Sequence, residues 1–319
     1  MNFLALLLGL GVERLLTHLF HLREFHWLDP FFDWAFVTLS RTSRWFAAAG
    51  ILLVVLVATL PLFLAAYFLE GTLADIPYFL FAVGVLLFSL GPHDLLDEGN
   101  DFCDAINSGD VSKARVLARD LLEDTGEHVD LSRVDEAIFI QANNRIFSVV
   151  FWFVVLGPVG AWLFRVTDLM RHRSTCELPR LSHETTQRIT AEPIDGASLS
   201  IFYLHGLLAW IPSRLLVLGY MLAGSFDGAL AGFRAYYARP AVVVSYLSDD
   251  VLSCVGSGAV GEVSLVSSVN ADTNESDNDP LFLSAASERA AAAVNLVRRT
   301  LWLIWCPGLA VLTLTDWIF

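Results

Sequence analysis

Polar side chains stand at both ends of the apolar stretch 146–163. Gln141, Asn144 and Arg145 precede this stretch, and Arg165 follows it. Ionisable residues close to a membrane are functional candidates by default. The solvated ends of an ordinary membrane anchor would have a similar composition. The residues therefore leave two interpretations open, a reaction or binding site where membrane meets water, or an anchor.

Arg165 and Asp168 are three residues apart, a spacing that allows an ion pair on a helix. The guanidinium of an arginine near an interface can reach the headgroup region at little cost. An ordinary ion pair and a substrate clamp are both compatible with this spacing. No HExxH or Walker motif occurs in the sequence to favour a particular reaction.

Acidic residues follow the apolar run Ile76–Leu90. At helical spacing Asp94, Asp97, Glu98 and Asp101 would share a face, and their oxygens could bind a divalent cation. A solvated acidic face at the end of a membrane helix is the alternative, and we favour it. Asp94, Asp97 and Glu98 are thus weak metal candidates.

The segment "GSGAVG", with Gly256, Gly258 and Gly261, fits the G-x-G-x-x-G pattern of dinucleotide-binding loops. That function needs a preceding strand and a following helix, and a Ser/Asn/Asp-rich segment follows instead. The glycines are more typical of a backbone that closely approaches another helix or an anionic ligand.

The composition predicts an integral membrane protein. Of 319 residues, 55% are hydrophobic and only 17% are charged, and the mean hydropathy is +0.57. Soluble domains carry about 25% charged residues. The net charge of −14 and the lack of a basic stripe exclude nucleic acid as a partner. The four cysteines have no CxxC spacing, so neither a disulfide framework nor a zinc site is predicted.

The apolar runs predict an all-α, polytopic architecture in the lipid bilayer. The predicted membrane elements are an uncleaved first helix within residues 1–20, a hairpin of Trp45–Leu69 and Ile76–Leu90, and a terminal helix over 301–319. Arginine and lysine residues flank the hairpin, and its connection has none. The flanks are therefore predicted to be cytoplasmic and the tip external.

A polar cytoplasmic helical segment is predicted over residues 93–145. Its first amphipathic helix would begin at Asp110 or Ser112 and end at Gly126. A second helix would begin at Asp130 or Ser132. Both helices would lie against the membrane or against each other.

The topology of residues 146–224 stays open at this stage. Gly157, Pro158 and Gly160 interrupt the stretch 146–163, which could be re-entrant or spanning. Pro212 and Arg214 divide Ile201–Gly224 into two predicted short helices. The remaining predictions are a linker over 174–198, a disordered loop over 264–282, a helix over 285–299, and one membrane domain over 1–319.

Four segments in order resemble the AmpE/CobD family. "SGDVSKARVLARDLLEDTG" is similar to a glycine-aspartate and alanine-arginine helix of the family, and "VDEAIFIQANNRIFSVVFWFVVLGPVGAWLFR" to its central segment. "LLAWIPSRLLVL" resembles a W-[IV]-P-x-R-L signature, and "GSGAVG" falls where the family has a GALG-like stretch. The resemblance covers roughly residues 1–265 and the terminal helix.

The family has two branches with different implied functions. The CobD branch implies a cobalamin-pathway synthase that joins an aminopropanol or its phosphate to a corrinoid acid with ATP. The AmpE branch implies a bacterial inner-membrane protein linked to β-lactamase induction, alongside a cytoplasmic muropeptide amidase.

The residues favour the AmpE branch. Where the synthase branch has E-S-V-A-E-N-x-x-D-G, this chain keeps Glu136 but has Ile140, Gln141, Asn144 and Arg145 at the second Glu, the Asn, the Asp and the Gly. The synthase segment N-T-L-D-S-M is replaced by "VTDLMRHR". Because ATP-dependent ligation needs carboxylates to hold magnesium, these losses argue against that chemistry.

The expected function is regulatory, in cell-wall sensing and the response to antibiotics, without catalysis or a cofactor. Arginine and amide side chains at this position could bind an anionic or sugar-rich, cell-wall-derived ligand. The candidate ligand-binding residues are Arg145, Arg165, Arg214, Gln141, Asn144 and Glu136. The alternative is a CobD-like amide-forming synthase that uses ATP and Mg²⁺, with Glu136, Asp94, Asp97 and Asp168 as candidates. A transporter or structural membrane component is a third hypothesis.

Overall fold

The computed structural model describes residues 29–39, 43–69, 76–90, 95–123, 129–181, 196–238, 247–261 and 280–302. No β-strand occurs in these ranges. The helices are α1 (Asp29–Leu39), α2 (Arg44–Leu69), α3 (Ile76–Ser89), α4 (Leu95–Asn107), α5 (Val111–Leu122), α6 (Val134–Gln141), α7 (Ser148–Leu156), α8 (Pro158–Leu181), α9 (Gly196–Ala223), α10 (Phe226–Ala238), α11 (Leu247–Val260) and α12 (Pro280–Thr300).

The protein is an all-α polytopic membrane protein, as the sequence predicted. Within the described part of the chain, three helical runs are long and apolar enough to cross a membrane: Trp45–Leu69, Leu131–Leu156 and Gly196–Ala223. A bilayer core requires about 20 residues of helix. The shorter helix α3 is also apolar.

The chain divides into two compact units. The first contains residues 1–92 and 144–209, and the second contains residues 93–143 and 210–319. Helix α9 contributes its first part to the first unit and its second part to the second. The single membrane domain predicted over residues 1–319 stays a prediction.

The first unit is built around contacts of α8 with α2, α3 and α7. Its core combines buried apolar side chains from α1, α2, α3, α8 and the beginning of α9. The largest of them include Phe32, Ile51, Trp162 and Phe202. Burying such side chains contributes about 1.5–3 kcal/mol each.

Helix α2 has the surface of a lipid-facing span. Trp45 and Phe46 are exposed near its beginning, and Tyr67 and Phe68 are exposed near its end. Exposed leucines and valines lie between these aromatic pairs. Aromatic rings are typical of both membrane–water interfaces, so the pairs fit the two boundaries of one crossing.

Pro61 lies inside α2 without ending it. A proline removes a backbone donor and disturbs the carbonyls of the preceding turn. In that turn the Ala58 carbonyl accepts a hydrogen bond of 3.1 Å from the Trp162 indole of α8. The same bond therefore joins α8 to α2 in the turn that precedes the proline.

The apolar run around residues 131–156 starts earlier than the sequence indicated. Leu131–Leu156 is helical throughout, with a 3₁₀ turn at Leu131–Arg133 and a π-helical turn at Ala142–Phe147. Its beginning belongs to the segment predicted to be polar and cytoplasmic. The amide side chains of Gln141, Asn143 and Asn144 near the end of that segment are buried inside the protein.

The helix breaks at Gly157, which has a φ of 69°. Glycine adopts this region without the penalty that a side chain would bring. Pro158 then occupies the first position of α8, where its missing N–H costs nothing. The interruption that the sequence showed in the stretch 146–163 is therefore a boundary between two helices. A Cβ on Gly160 would collide with the Trp152 carbonyl, so α8 packs closely against α7.

Helix α9 is continuous, which corrects the prediction of two short helices. Pro212 lies within it and leaves the carbonyl four residues earlier, that of Leu208, without its backbone donor. The Trp152 indole of α7 donates to this carbonyl at 3.1 Å. The donor from another helix explains how α9 continues through the proline.

The second unit holds α4, α5, α6, the end of α9, and α10 to α12. Helix α12 contacts α4 and α6, and α10 packs against α11. Asp110 caps α5 through a 3.0 Å bond from the Lys113 N–H, as predicted. The helix ends at Leu122, with Glu123 in the left-handed region at φ 51°, and not at Gly126.

Several predictions concern residues outside the described ranges. They are the first helix within 1–20, the hairpin connection 70–75, Asp94, Gly126, and most of the terminal helix. Helix α8 extends into the segment predicted as a linker, up to Leu181, and α12 begins at Pro280, within the segment predicted as a disordered loop. The helix predicted over 285–299 is confirmed within α12.

Candidate functional site

Helix α8 places three charged residues on successive turns. Arg165, Asp168 and Arg171 are three residues apart, so Asp168 lies between the two arginines. Their exposed fractions are 7%, 6% and 8%. Long charged side chains are almost never this buried unless they are paired.

Both arginines bind the carboxylate of Asp168. Arg165 Nη1 donates to Asp168 Oδ2 at 3.0 Å, and Arg171 Nη2 donates to Asp168 Oδ1 at 3.2 Å. His205 of α9 brings its Nε2 to 3.5 Å from the same Oδ1. We call Arg165, Asp168, Arg171 and His205 the ion cluster. All four residues belong to the first unit.

The ion cluster keeps Asp168 charged. Helix α8 lies outside the three runs that could cross a membrane. Burial alone would raise the pKa of Asp168, but His205, Arg171 and Arg165 outweigh it and hold the pKa well below its usual range. Both oxygens of this carboxylate accept hydrogen bonds from side chains of the protein.

His205 is the member of the cluster that the sequence did not indicate. Its ring is 4% exposed and packs against Phe164, with ring centroids 5.3 Å apart. A lone histidine in an apolar run carries no pattern that relates it to a distant carboxylate. The pairing of Arg165 with Asp168, in contrast, follows from their spacing and is confirmed.

Two further candidates share the first unit with the ion cluster. Asn144 and Arg145 lie on the π-helical turn Ala142–Phe147. Asn144 is buried and Arg145 is partly buried. π-Helical turns are frequent at functional sites. Their role in ligand binding stays a prediction.

Gln141 and Glu136 belong to the second unit, and each is held by neighbours there. Gln141 Nε2 donates to the Leu121 carbonyl at 3.3 Å and to Glu123 Oε1 at 2.8 Å. Glu136 pairs with Arg133 at 3.2 Å on the surface. Glu123 is also the left-handed C-cap of α5, and its backbone N–H donates to the Arg119 and Asp120 carbonyls.

Arg214 also belongs to the second unit. Its guanidinium carbon lies 5.8 Å from the centroid of the Trp210 ring, within the range of a cation–π interaction. Arg214 also shares a hydrogen bond with Tyr236. These partners are aromatic, unlike the carboxylate that holds Arg165.

The acidic metal candidates are only partly described. Asp97 and Glu98 lie in the first turn of α4, where negative charge stabilises a helix, and Asp94 is outside the described residues. Within the described ranges no group of three or more His, Cys, Asp and Glu side chains could hold a metal ion. The metal candidates stay predictions.

The glycine segment does not have the structure of a dinucleotide-binding loop. Gly256 and Gly258 lie inside α11, and Gly261 follows it with a φ of 88°. A Cβ on Gly258 would collide with the Gly228 carbonyl of α10, and one on Gly256 with the Phe139 ring. The close approach is therefore to another helix, one of the two options that the sequence left open.

These features define a class: an all-α membrane protein whose polar site is a buried cluster of paired charges. The family model described as "Regulatory signalling modulator protein AmpE" matches residues 1–243. The chain therefore belongs to the AmpE family, and it is a regulatory signalling protein by that membership.

A curated relative links the chain to the CobD branch. The "Cobalamin biosynthesis protein CobD" of Chromobacterium violaceum is 26% identical over 256 residues, which cover 77% of this chain and 76% of the relative. No solved structure matches the chain.

Proposed function

We propose that the protein acts in β-lactamase induction as a non-catalytic signalling component of the bacterial inner membrane. It would recognise an anionic, cell-wall-derived ligand, or the cytoplasmic muropeptide amidase that processes such ligands. The family match over residues 1–243 supports the signalling function. The apolar helices support the membrane location.

The observation that carries the proposal is the pairing of Asp168. A ligase that uses ATP and Mg²⁺ needs carboxylates that can bind the metal. Asp168 instead accepts hydrogen bonds from Arg165 and Arg171 on its two oxygens. Because its charge is used inside the protein, the cluster is suited to recognition and not to metal-assisted ligation.

The arginines supply the recognition chemistry. A guanidinium has five N–H donors in a fixed geometry that matches carboxylates and phosphates. One donor of Arg165 and one of Arg171 bind Asp168, which fixes the orientation of both side chains. Asn144 and Arg145 of the same unit would add donors for a carboxylate or a sugar hydroxyl. Gln141 and Glu136 stay predictions from the sequence.

The test is complementation of a strain that lacks this protein and carries an inducible β-lactamase. Arg165→Ala and Arg145→Ala should lower induced β-lactamase activity while the protein stays in the membrane fraction. Arg133→Ala is the matched control, because Arg133 is exposed and pairs only on the surface. An unchanged response in both test variants would refute the proposed site.

A CobD-like amide-forming synthase is the second candidate function, and the 26% identity to the CobD relative favours it. This function would require ATP and Mg²⁺, with Glu136 and Asp97 as available carboxylates. Purified protein should then hydrolyse ATP while it couples an amine to a corrinoid acid. A positive result in this assay would replace the signalling proposal.

A further inference from the structure

The second part of α9 presents an apolar outer side that is interrupted by one charge. Its exposed residues are Trp210, Ile211, Leu215, Leu218 and Leu222. Arg214 lies among them and is partly buried. A guanidinium on a candidate membrane span is costly unless it is paired or reaches a polar region, so its presence points to a binding function.

The described partners of Arg214 leave a donor for a ligand. The guanidinium lies over the Trp210 ring at 5.8 Å and shares a hydrogen bond with the Tyr236 phenol. Its Nη1 is buried and has no hydrogen-bond partner among the described residues. A buried N–H without an acceptor is unfavourable because it has lost its hydrogen bonds to water. An external acceptor would remove that cost.

Tyr236 is suited to assist at this site. Burial raises the pKa of Tyr236, and the charge of Asp250 raises it further, against the opposing effect of Arg214. The phenol is therefore neutral at physiological pH and keeps its O–H. It can accept a hydrogen bond from Arg214 and donate one to an anion.

The residues around Arg214 include two that lie at helix ends. Tyr236 lies in the last turn of α10, and Asp250 lies in the first turn of α11. Helix ends carry backbone groups that need polar surroundings. Arg214 therefore stands beside polar groups on an otherwise apolar surface, a combination that suits a phosphate attached to acyl chains.

We propose that Arg214 binds the phosphate of an anionic phospholipid headgroup. Trp210 lies beside the guanidinium, Tyr236 adds a hydroxyl donor, and the exposed leucines of α9 accommodate the acyl chains. The charges of guanidinium and phosphate are complementary, and basic sites between membrane helices are typical of anionic lipid binding. A free phosphate would use the polar groups but not the apolar surface.

The experiment measures lipid binding to the purified full chain in detergent. The protein is titrated with phosphatidylglycerol or with phosphatidylcholine of matched acyl chains, and bound lipid is counted by native mass spectrometry. We expect a preference for phosphatidylglycerol. Arg214→Gln should weaken its binding about tenfold, as expected for the loss of a charge-assisted hydrogen bond, and should leave phosphatidylcholine binding unchanged.

Arg234→Gln is the matched control, because Arg234 is an exposed arginine on α10 and the charge change is the same. Equal loss in both variants would indicate diffuse attraction and overturn the proposal. Unchanged binding in Arg214→Gln, or full displacement of the lipid by inorganic phosphate, would also overturn it.

A second variant keeps the proposal testable if Arg214→Gln does not fold. Asp250→Asn removes a nearby carboxylate that repels phosphate, so phosphatidylglycerol should bind more tightly. Circular dichroism checks that the helix content is retained. Weaker or unchanged binding in folded Asp250→Asn would contradict a phosphate at Arg214.

Discussion

The two units fix their helices by different means. In the first unit, polar side chains join the helices through the bonds Trp152–Leu208 and Trp162–Ala58 and through the ion cluster. In the second unit, the backbones of α10 and α11 touch at glycines. Polar bonds therefore set the α7–α9, α2–α8 and α8–α9 contacts of the first unit, whereas the small volume of glycine sets the α10–α11 contact of the second unit.

The arginines show the same difference. Arg165 and Arg171 both pair with the single carboxylate of Asp168 inside the first unit. Arg214 in the second unit is held by a ring face and a phenol, which carry no net charge. The guanidiniums of Arg165 and Arg171 are positioned by a carboxylate within one network, whereas that of Arg214 keeps its buried Nη1 donor for an external acceptor.

The largest effect is expected from Asp168→Asn. The substitution leaves two buried guanidiniums without their carboxylate, which should destabilise the first unit by about 3–5 kcal/mol. Thermal unfolding in detergent, followed by circular dichroism, measures the loss. Asp97→Asn on the surface of α4 is the control and should change little. Equal stability of the two variants would show that the ion cluster does not hold the first unit together.

A smaller loss of folding stability is expected from Gly232→Ala in α10. The new Cβ would collide with the Cys254 carbonyl of α11, and a backbone atom cannot swing away. Overpacking of this kind costs about 1–3 kcal/mol. Separation of the two helices should also increase the rate at which the partly buried Cys254 thiol reacts with a maleimide.

Gly84→Ala in α3 is the matched control for that substitution. No atom lies within 4 Å of its new Cβ. Alanine is favoured over glycine in a helix by up to about 1 kcal/mol. The control should therefore be neutral or stabilising. A loss equal to that of Gly232→Ala would mean that helix propensity or local strain, and not backbone contact, sets the cost.

The third effect tests the polar links of the first unit. Trp152→Phe keeps the ring but removes the donor to the Leu208 carbonyl, and should cost about 1 kcal/mol. Pro212→Ala restores a backbone N–H for the same carbonyl. The cost of Trp152→Phe should therefore fall in the Pro212→Ala background, and a double-mutant cycle measures this coupling. Strictly additive stability changes would show that the Trp152 indole does not compensate for Pro212.

Local signals in the sequence predicted much of the fold. The apolar run of α2 and the caps Asp110 and Asp130 depend on neighbouring residues only, and the structure agrees with them. The Arg165–Asp168 pair depends on spacing within one helix, and an ion pair was one of the interpretations that this spacing left open.

The features that the sequence did not indicate depend on contacts between distant segments. The continuity of α9 requires an indole from α7, and the role of His205 requires the approach of α9 to Asp168. The glycines of α10 allow close backbone contact only because α11 lies against them. The spacing of residues along the sequence gives no rule for contacts between distant segments.

The smallest effect concerns the cap of α5, where the second unit depends on a charge. The hydrogen bond from Ser112, and then that from the Lys113 N–H, lower the pKa of Asp110. A carboxyl with a depressed pKa stabilises the fold above its unfolded pKa, and this stabilisation is lost as the pH falls through the folded pKa. Hydrogen-exchange protection of α5, corrected for intrinsic exchange, should therefore decline below about pH 4. In Asp110→Ala the protection should be lower at neutral pH and should not show this decline. The same acid dependence in the variant would assign it to other carboxyls of the second unit and not to the cap of α5.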